Sequence, residues 1–259
     1  MITCREVADI LEEIAPKSLA EAWDNPGFLI GGQDDSAEKI LVALDVTEEV
    51  VDEAIAGGFE VIIAHHPLIF HGIKQIHTDS TEGRVLQKIL RHGIAIFAAH
   101  TNLDSAEGGV NDVLAARIGL TIDKPLAEDG HLGRVGHLSK ALTPVDFALD
   151  VKKALGAPMV RLSGAGKTKV ETIAVLGGSG ASFLERAAEV GADAFLTGDM
   201  RYHEAQRAEA LGLWVVDAGH FWTEMPIVEA LAEHLRQAFA SQAVQIVAYT
   251  KARDVFRFI

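Results

Sequence analysis

The chain has 259 residues, 49% of them hydrophobic, with 23 Lys and Arg against 37 Asp and Glu, a formal charge of -14. That length supports two modest domains with real cores, and the acidic balance argues against nucleic acid as a partner, because a protein that tracks phosphates needs a broad cationic surface. Cys4 is the only cysteine, which excludes an internal disulfide and a thiolate zinc site and fits a reducing cytoplasm; with neither a basic start and apolar centre over Met1 to Val7 nor an apolar run approaching a membrane span, neither secretion nor a membrane span is expected.

Thr3 and Glu6 have capping-box spacing, and Val7, Ile10, Leu11 and Ile14 follow at helical intervals until Pro16, which predicts an amphipathic opening helix. Trp23-Asp24-Asn25-Pro26-Gly27 makes a turn into the apolar stretch from Phe28 to Gly31. Ile40 to Asp45 reads as a buried strand, Thr47 caps a helix that runs to Gly57-Gly58, and Val61 to Ala64 is a second buried strand. That strand stops at His65-His66-Pro67, since proline removes the amide needed to continue a ladder. A polar stretch from His71 to Ser80, a helix from about Glu82 to Arg91 stopped by Gly93, and a strand from Ile94 to Ala99 follow, ending at His100-Thr101-Asn102-Leu103-Asp104. Strands alternating with helices make this a βαβ region with a mostly parallel sheet.

After Pro125 the texture changes, with Gly130, Gly133 and Gly136 around Arg134. Thr143-Pro144 starts a helix that Gly156 stops, and Met159 to Leu162 and Val170 to Leu176 are read as strands. Gly177-Gly178-Ser179-Gly180 is read as a loop from strand to helix, either a tight turn or, through exposed amides, a phosphate cradle. A second βαβ pattern reaches Val215 to His220, a final helix runs from about Thr223 to about Ala240, and Val244 to Tyr249 closes the chain as a strand. Ile40 to His66 can be laid without a gap on Ile173 to Asp199, with Gly58 against Gly191 and Glu60 against Asp193. With another offset, His100 and Asp104 lie on His220 and Glu224.

Strand ends therefore deliver His65 and His66, His100 and Asp104, and His220 and Glu224. In open α/β sheets that end is where ligands bind. Imidazole nitrogen and carboxylate oxygen are donors that zinc, iron, manganese and nickel accept, and no thiolate competes. Adjacent histidines on a strand point to opposite faces unless the strand has ended, which hints at two ions. Two metals about 3.5–4 Å apart can share a hydroxide and make it a nucleophile near neutral pH. The plain alternative is that one ring caps a helix and another lies on the surface.

His65-His66-Pro67-Leu68-Ile69-Phe70, His100 to Asp104, Thr197-Gly198-Asp199 and Gly219 to Glu224 resemble, in order and spacing, the NIF-three-like dinuclear-metal family, whose members are often labelled homologues of a second type of GTP cyclohydrolase. The resemblance covers essentially the whole chain. It implies an α/β fold of two interlinked βαβ-type domains, here related by the internal pseudo-repeat, with mixed, mostly parallel sheets. The first domain is expected over 1–126 plus about 220–259 and the second over 127–219. It implies two divalent ions per chain on His65, His66, Asp104, His220 and Glu224, and a toroidal homohexamer, a trimer of dimers.

The activity implied by the resemblance is a cytoplasmic metal-dependent hydrolase acting on a small molecule, a purine nucleotide. His100 and His203 are the candidate proton carriers, His100 standing outside the metal shell although the repeat pairs it with His220. The alternatives are a non-catalytic metal-binding or metal-handling hexamer and a two-metal phosphohydrolase. Asp199, Tyr202, His203 and Glu204 are expected to touch substrate, and Lys74, Arg134 and Arg201 are candidate anion contacts.

Overall fold

The computed structural model describes residues 2–128 and 131–259, so Gly130 lies outside the described residues. The chain divides into two compact units, Met1–Ala106 with Val228–Ala252, and Glu107–Ile227 with Arg253–Ile259. In chain order the elements are α1 (Cys4–Ile14), β1 (Gly27–Ile30), β2 (Lys39–Ala43), α2 (Glu48–Gly57), β3 (Val61–Ala64), α3 (Thr81–His92), β4 (Ala95–Ala98) and α4 (Thr101–Ser105). Then come α5 (Val110–Arg117), β5 (Thr121–Pro125), β6 (Arg134–Leu142), α6 (Pro144–Leu155), β7 (Arg161–Gly164), β8 (Val170–Ser179), α7 (Leu184–Glu189) and β9 (Ala194–Gly198). The chain closes with α8 (Tyr202–Leu211), β10 (Trp214–Asp217), α9 (His220–Glu224), α10 (Pro226–Ala238) and β11 (Gln245–Ala248).

In the first unit the sheet order is β1-β4-β3-β2-β11, parallel except for β1, which runs antiparallel to β4. All residues of β3 and β4 are buried, as continuous apolar strands covered on both faces must be. Leu41, Ile62 and Ile96 of the strands pack with Val50, Val51 and Ala54 of α2 and Val85 and Ile89 of α3 in one core. The predicted caps form: Thr3 and Glu6 close a reciprocal capping box on α1, and the Thr47 side chain accepts the Val50 amide.

The second sheet has the order β5-β6-β8-β9-β10-β7. Only β8-β9 and β9-β10 are parallel, so this sheet is mixed rather than mostly parallel. The change of texture after Pro125 lies between β5 and β6, antiparallel neighbours in it. Apolar clusters cover both faces: Phe147, Val151, Ile173 and Val216 in one, Leu176, Leu184, Phe195 and Val215 in the other.

The internal repeat is visible in the ladders and in the hydrogen bonds. β2-β3-β4 and β8-β9-β10 are consecutive parallel strands, each set flanked beside its third strand by an antiparallel one, β1 or β7. Glu60 accepts the amides of Glu38 and Lys39 at 2.6 and 3.2 Å, and Asp193 accepts those of Glu171 and Thr172 at 3.0 Å each. Each carboxylate thereby satisfies two amides at the mouth of the preceding strand, at positions that the gapless overlay pairs.

Two expected elements differ. The closing helix is split into α9 and α10, because Pro226 has no amide proton to donate back into the helix. Gly177, Gly178 and Ser179 belong to β8 rather than to a loop, and the glycine amides are already taken: Gly177 donates to Asn111 Oδ1 at 2.9 Å, Gly178 to Thr223 Oγ1 at 3.0 Å and Gly180 to Thr197 Oγ1 at 2.9 Å. Those three glycine amides are therefore not free to cradle a phosphate.

Candidate metal centre

In the first unit, β3 ends at Ala64, and the chain keeps pairing with the neighbouring strand for two more residues, His65 N–H to Ala43 O at 3.2 Å and His66 N–H to Leu44 O at 2.9 Å. Beyond the regular pleat the two rings need not diverge, and their centroids lie 4.9 Å apart. β4 ends in the same direction and carries His100, the N-cap of α4, whose ring lies 5.3 Å from that of His65 and 5.7 Å from that of His66. One nitrogen from each of His65, His66 and His100 falls within 4.8 Å of the others. Asp104, one turn into α4, brings Oδ1 to 3.6 Å from His65 Nε2.

Each ring is held by its Nδ1. His65 Nδ1 meets Ala99 O at 2.8 Å, His66 Nδ1 meets Asp45 Oδ1 at 2.7 Å, and His100 Nδ1 meets Asp24 Oδ1 at 2.8 Å. A carbonyl or an ionised carboxylate only accepts, so Nδ1 must carry the proton and, in the neutral ring, Nε2 must carry the lone pair. That is the tautomer a metal or a substrate proton needs, fixed by an outer acceptor. Asp24 is the most tightly held of these acceptors. Its side chain is fully buried, and it also receives the Thr101 amide at 3.0 Å and hydroxyl at 2.5 Å. Burial pushes its carboxyl up, but the hydrogen bonds from His100 and Thr101 outweigh that and hold it well below the usual carboxylate range.

The second unit repeats the construction. β10 ends at Asp217, Gly219 turns the chain with φ 83°, and α9 starts at His220, with Glu224 one turn later. His220 Nδ1 meets Asp199 Oδ2 at 2.8 Å, and Nε2 lies 2.9 Å from Glu224 Oε2. That short approach to a carboxylate requires a proton between them, and the Glu224 hydrogen bond raises the His220 pKa to about 9. A divalent cation would compete for the same two atoms.

The backbone makes room for Glu224. A Cβ on Gly178, whose φ is +68°, would stand 2.2 Å from Glu224 Oε1 and 3.3 Å from His220 Nε2. Asp199 has φ 54°, a left-handed conformation unusual for a residue with a side chain, and it lies at the end of β9 where it reaches His220.

The structure thus brings His65, His66, His100 and Asp104 together in one unit, and His220 with Glu224 in the other. His203 is elsewhere. It sits exposed on the first turn of α8, its Nδ1 at 3.0 Å from Gln206 Oε1, and it belongs to none of the convergent groups among the described residues. Asp199 orients the His220 imidazole. Arg134 is buried against Asp112, with further bonds to His131 O and Gly133 O, and Arg201 pairs with Glu204 at 3.1 Å. Sequence reasoning passed over Asp24 and Asp45 as parts of a turn and a strand. The available signal was a carboxylate at the mouth of one strand matching an imidazole at the mouth of its neighbour.

A family model described as Duf34/NIF3 (NGG1p interacting factor 3) matches residues 2–254. A Clostridium perfringens protein named GTP cyclohydrolase 1 type 2 homolog is 36% identical over 259 residues, spanning 98% of each chain. A Streptomyces coelicolor protein of the same name is 36% identical over 240 residues, 89% of this chain and 84% of its own. Among solved structures, a Bacillus cereus protein related to NIF3 superposes with a TM-score of 0.95 at 30% identity, covering 100% of this chain and 99% of the other.

Proposed function

The chain belongs to the DUF34/NIF3 family, and from that premise we propose a metal-dependent hydrolase of a purine nucleotide, its two divalent ions held by His65, His66, Asp104, His220 and Glu224. The observation that carries the reading is the tethering of His65, His66 and His220 through Nδ1 to an oxygen acceptor, which aims each Nε2 away from that acceptor. Nitrogen and carboxylate donors without a thiolate suit zinc, iron, manganese or nickel, and five ligands are too many for one tetrahedral zinc. The nucleotide comes from relatives named GTP cyclohydrolase 1 type 2 homolog.

Divalent ions on these residues would supply Lewis acidity, which lowers the pKa of bound water toward neutral. The protein's own part is orientation and proton transfer. Asp45 and Asp199 fix the ring planes of His66 and His220. Asp24 fixes His100 as the Nδ1–H tautomer, so His100 Nε2 takes the proton that an attacking water gives up and returns it to the leaving nitrogen, once to open the ring to a formamide and once more, with a second water, to release formate. The proposed assembly is a hexameric ring in the cytoplasm; among the described residues no helix is long and apolar enough to cross a membrane.

Reconstitution with each metal, followed by elemental analysis and incubation with GTP, tests this reading. Close to two ions per chain and release of formate are expected. Phosphate release instead makes the protein a two-metal phosphohydrolase, and full metal loading without turnover makes it a metal-handling protein. Light scattering should give the mass of a hexamer; a monomer at every concentration ends the ring.

A further inference from the structure

We propose that Trp23 and Phe70 form an aromatic platform beside His100 that holds the flat heteroaromatic ring of the ligand. The inference rests on the hydrolase reading for the identity of that ligand, and it adds the residues that select it. Trp23 is 58% exposed and Phe70 36%, two large aromatic side chains exposed side by side rather than singly. Their rings stand 5.7 Å apart, and each lies 6.2 Å from the ring of His100, at 74° and 77°. These steep angles keep the rings from stacking on His100.

The exposure is held in place by its neighbours. The Asp24 side chain is fully buried and bonded to His100 and Thr101, and Asn25 Nδ2 donates to Ile69 O at 2.6 Å, which ties the turn of Trp23 to the segment of Phe70. Three successive residues therefore orient the candidate base, clamp the neighbouring loop and present an indole to solvent. An indole anchored through its own backbone neighbours loses little freedom when a planar ring stacks on it. Stacking on an aromatic face is tolerant of base identity, so the platform selects a flat heterocycle over a sugar phosphate while discriminating weakly between guanine and adenine.

Calorimetric titration of the metal-reconstituted full-length protein with GTP, guanosine and ribose 5-phosphate tests this, using Trp23→Ala, Trp23→Phe and Phe70→Ala. Trp23→Ala should weaken GTP and guanosine about 10- to 100-fold, leave ribose 5-phosphate, metal content and assembly mass unchanged, and Trp23→Phe should recover most of the loss. Phe70→Ala should weaken the same two ligands. Wild-type affinity for GTP in Trp23→Ala, or a wild-type protein that binds neither GTP nor guanosine, overturns the platform. So does a Trp23→Ala protein that weakens ribose 5-phosphate equally or changes assembly mass, which would make Trp23 a contact between copies of the chain. Trp23-dependent binding of GTP without turnover supports the platform and removes the hydrolase, whereas turnover with an unchanged KM in Trp23→Ala does the reverse.

Discussion

Replacing Asp24 by Asn keeps the shape of the side chain and removes what the surrounding donors need. The carboxylate accepts His100 Nδ1 at 2.8 Å on Oδ1, and the Thr101 amide at 3.0 Å and hydroxyl at 2.5 Å on Oδ2, with none of the side chain in contact with water. An amide offers one accepting oxygen. If that oxygen faces Thr101, the NH2 faces Nδ1 and forces His100 into the opposite tautomer, with Nε2 protonated. If it faces His100, the Thr101 amide loses its acceptor. Hydrogen bonds to charged groups are worth about 1.5–3 kcal/mol, and an unsatisfied buried donor costs roughly 1–3 kcal/mol, so Asp24→Asn should destabilise the first unit by about 2–4 kcal/mol. For a chain of this size that lowers its melting midpoint by roughly 4–16 °C. Turnover should fall by about 10²–10⁴, the range for losing a general base, while metal content is kept. The acid limb gives an independent check. Because the folded pKa of Asp24 is depressed, its stabilisation is complete above the ordinary carboxylate value of 3.8 and is lost as pH falls below it. The wild type should therefore lose stability below about pH 4 more steeply than Asp24→Asn. Imidazole 15N NMR would read the His100 tautomer directly. A variant with an unchanged tautomer and full turnover would refute the reasoning.

Asp104→Ala should lose an ion by elemental analysis, whereas His100→Ala should keep both and lose turnover by about 10²–10⁴; an emptied site in His100→Ala would make His100 a ligand, as its pairing with His220 in the repeat suggests. Gly178→Ala places a methyl 2.2 Å from Glu224 Oε1 on left-handed backbone, so metal affinity measured by competition with a chelator should drop about 10- to 100-fold, and unchanged affinity would mean that Glu224 is not a ligand. Since His220 has its pKa raised to about 9 by Glu224, the metal-free protein carries that proton at pH 7.5. Metal binding should expel it, which calorimetry in buffers of different ionisation enthalpy would detect, and affinity should rise with pH up to about 9. The stabilising effect of the charged pair in the metal-free protein runs the other way, complete below 6.5 and lost as pH rises through about 9.

Much of this protein was legible in the order of its residues because the relevant physics is local. Apolar runs such as Val61 to Ala64, a proline after His66, the cap at Thr47 and glycine stops at Gly58 and Gly93 determine elements through backbone sterics and nearby hydrogen bonds. The repeat was legible for the same reason, since Glu60 and Asp193 do the same work at the same distance from their strands. Which imidazole nitrogen carries the proton was not legible. Asp24 lies 76 positions from His100, Asp45 lies 21 from His66, and Asp199 lies 21 from His220, and only the pairing of neighbouring strands, antiparallel for Asp24 and parallel for the other two, brings each carboxylate beside its ring. The glycines from Gly177 to Gly180 carried the same lesson: their composition suggests a loop, yet side chains of Asn111, Thr223 and Thr197 claim their amides and hold Gly177 and Gly178 in the strand. Sequence determined which residues stand at the strand ends; tertiary pairing across the sheets decided the protonation, orientation and exposure that turn those residues into a site.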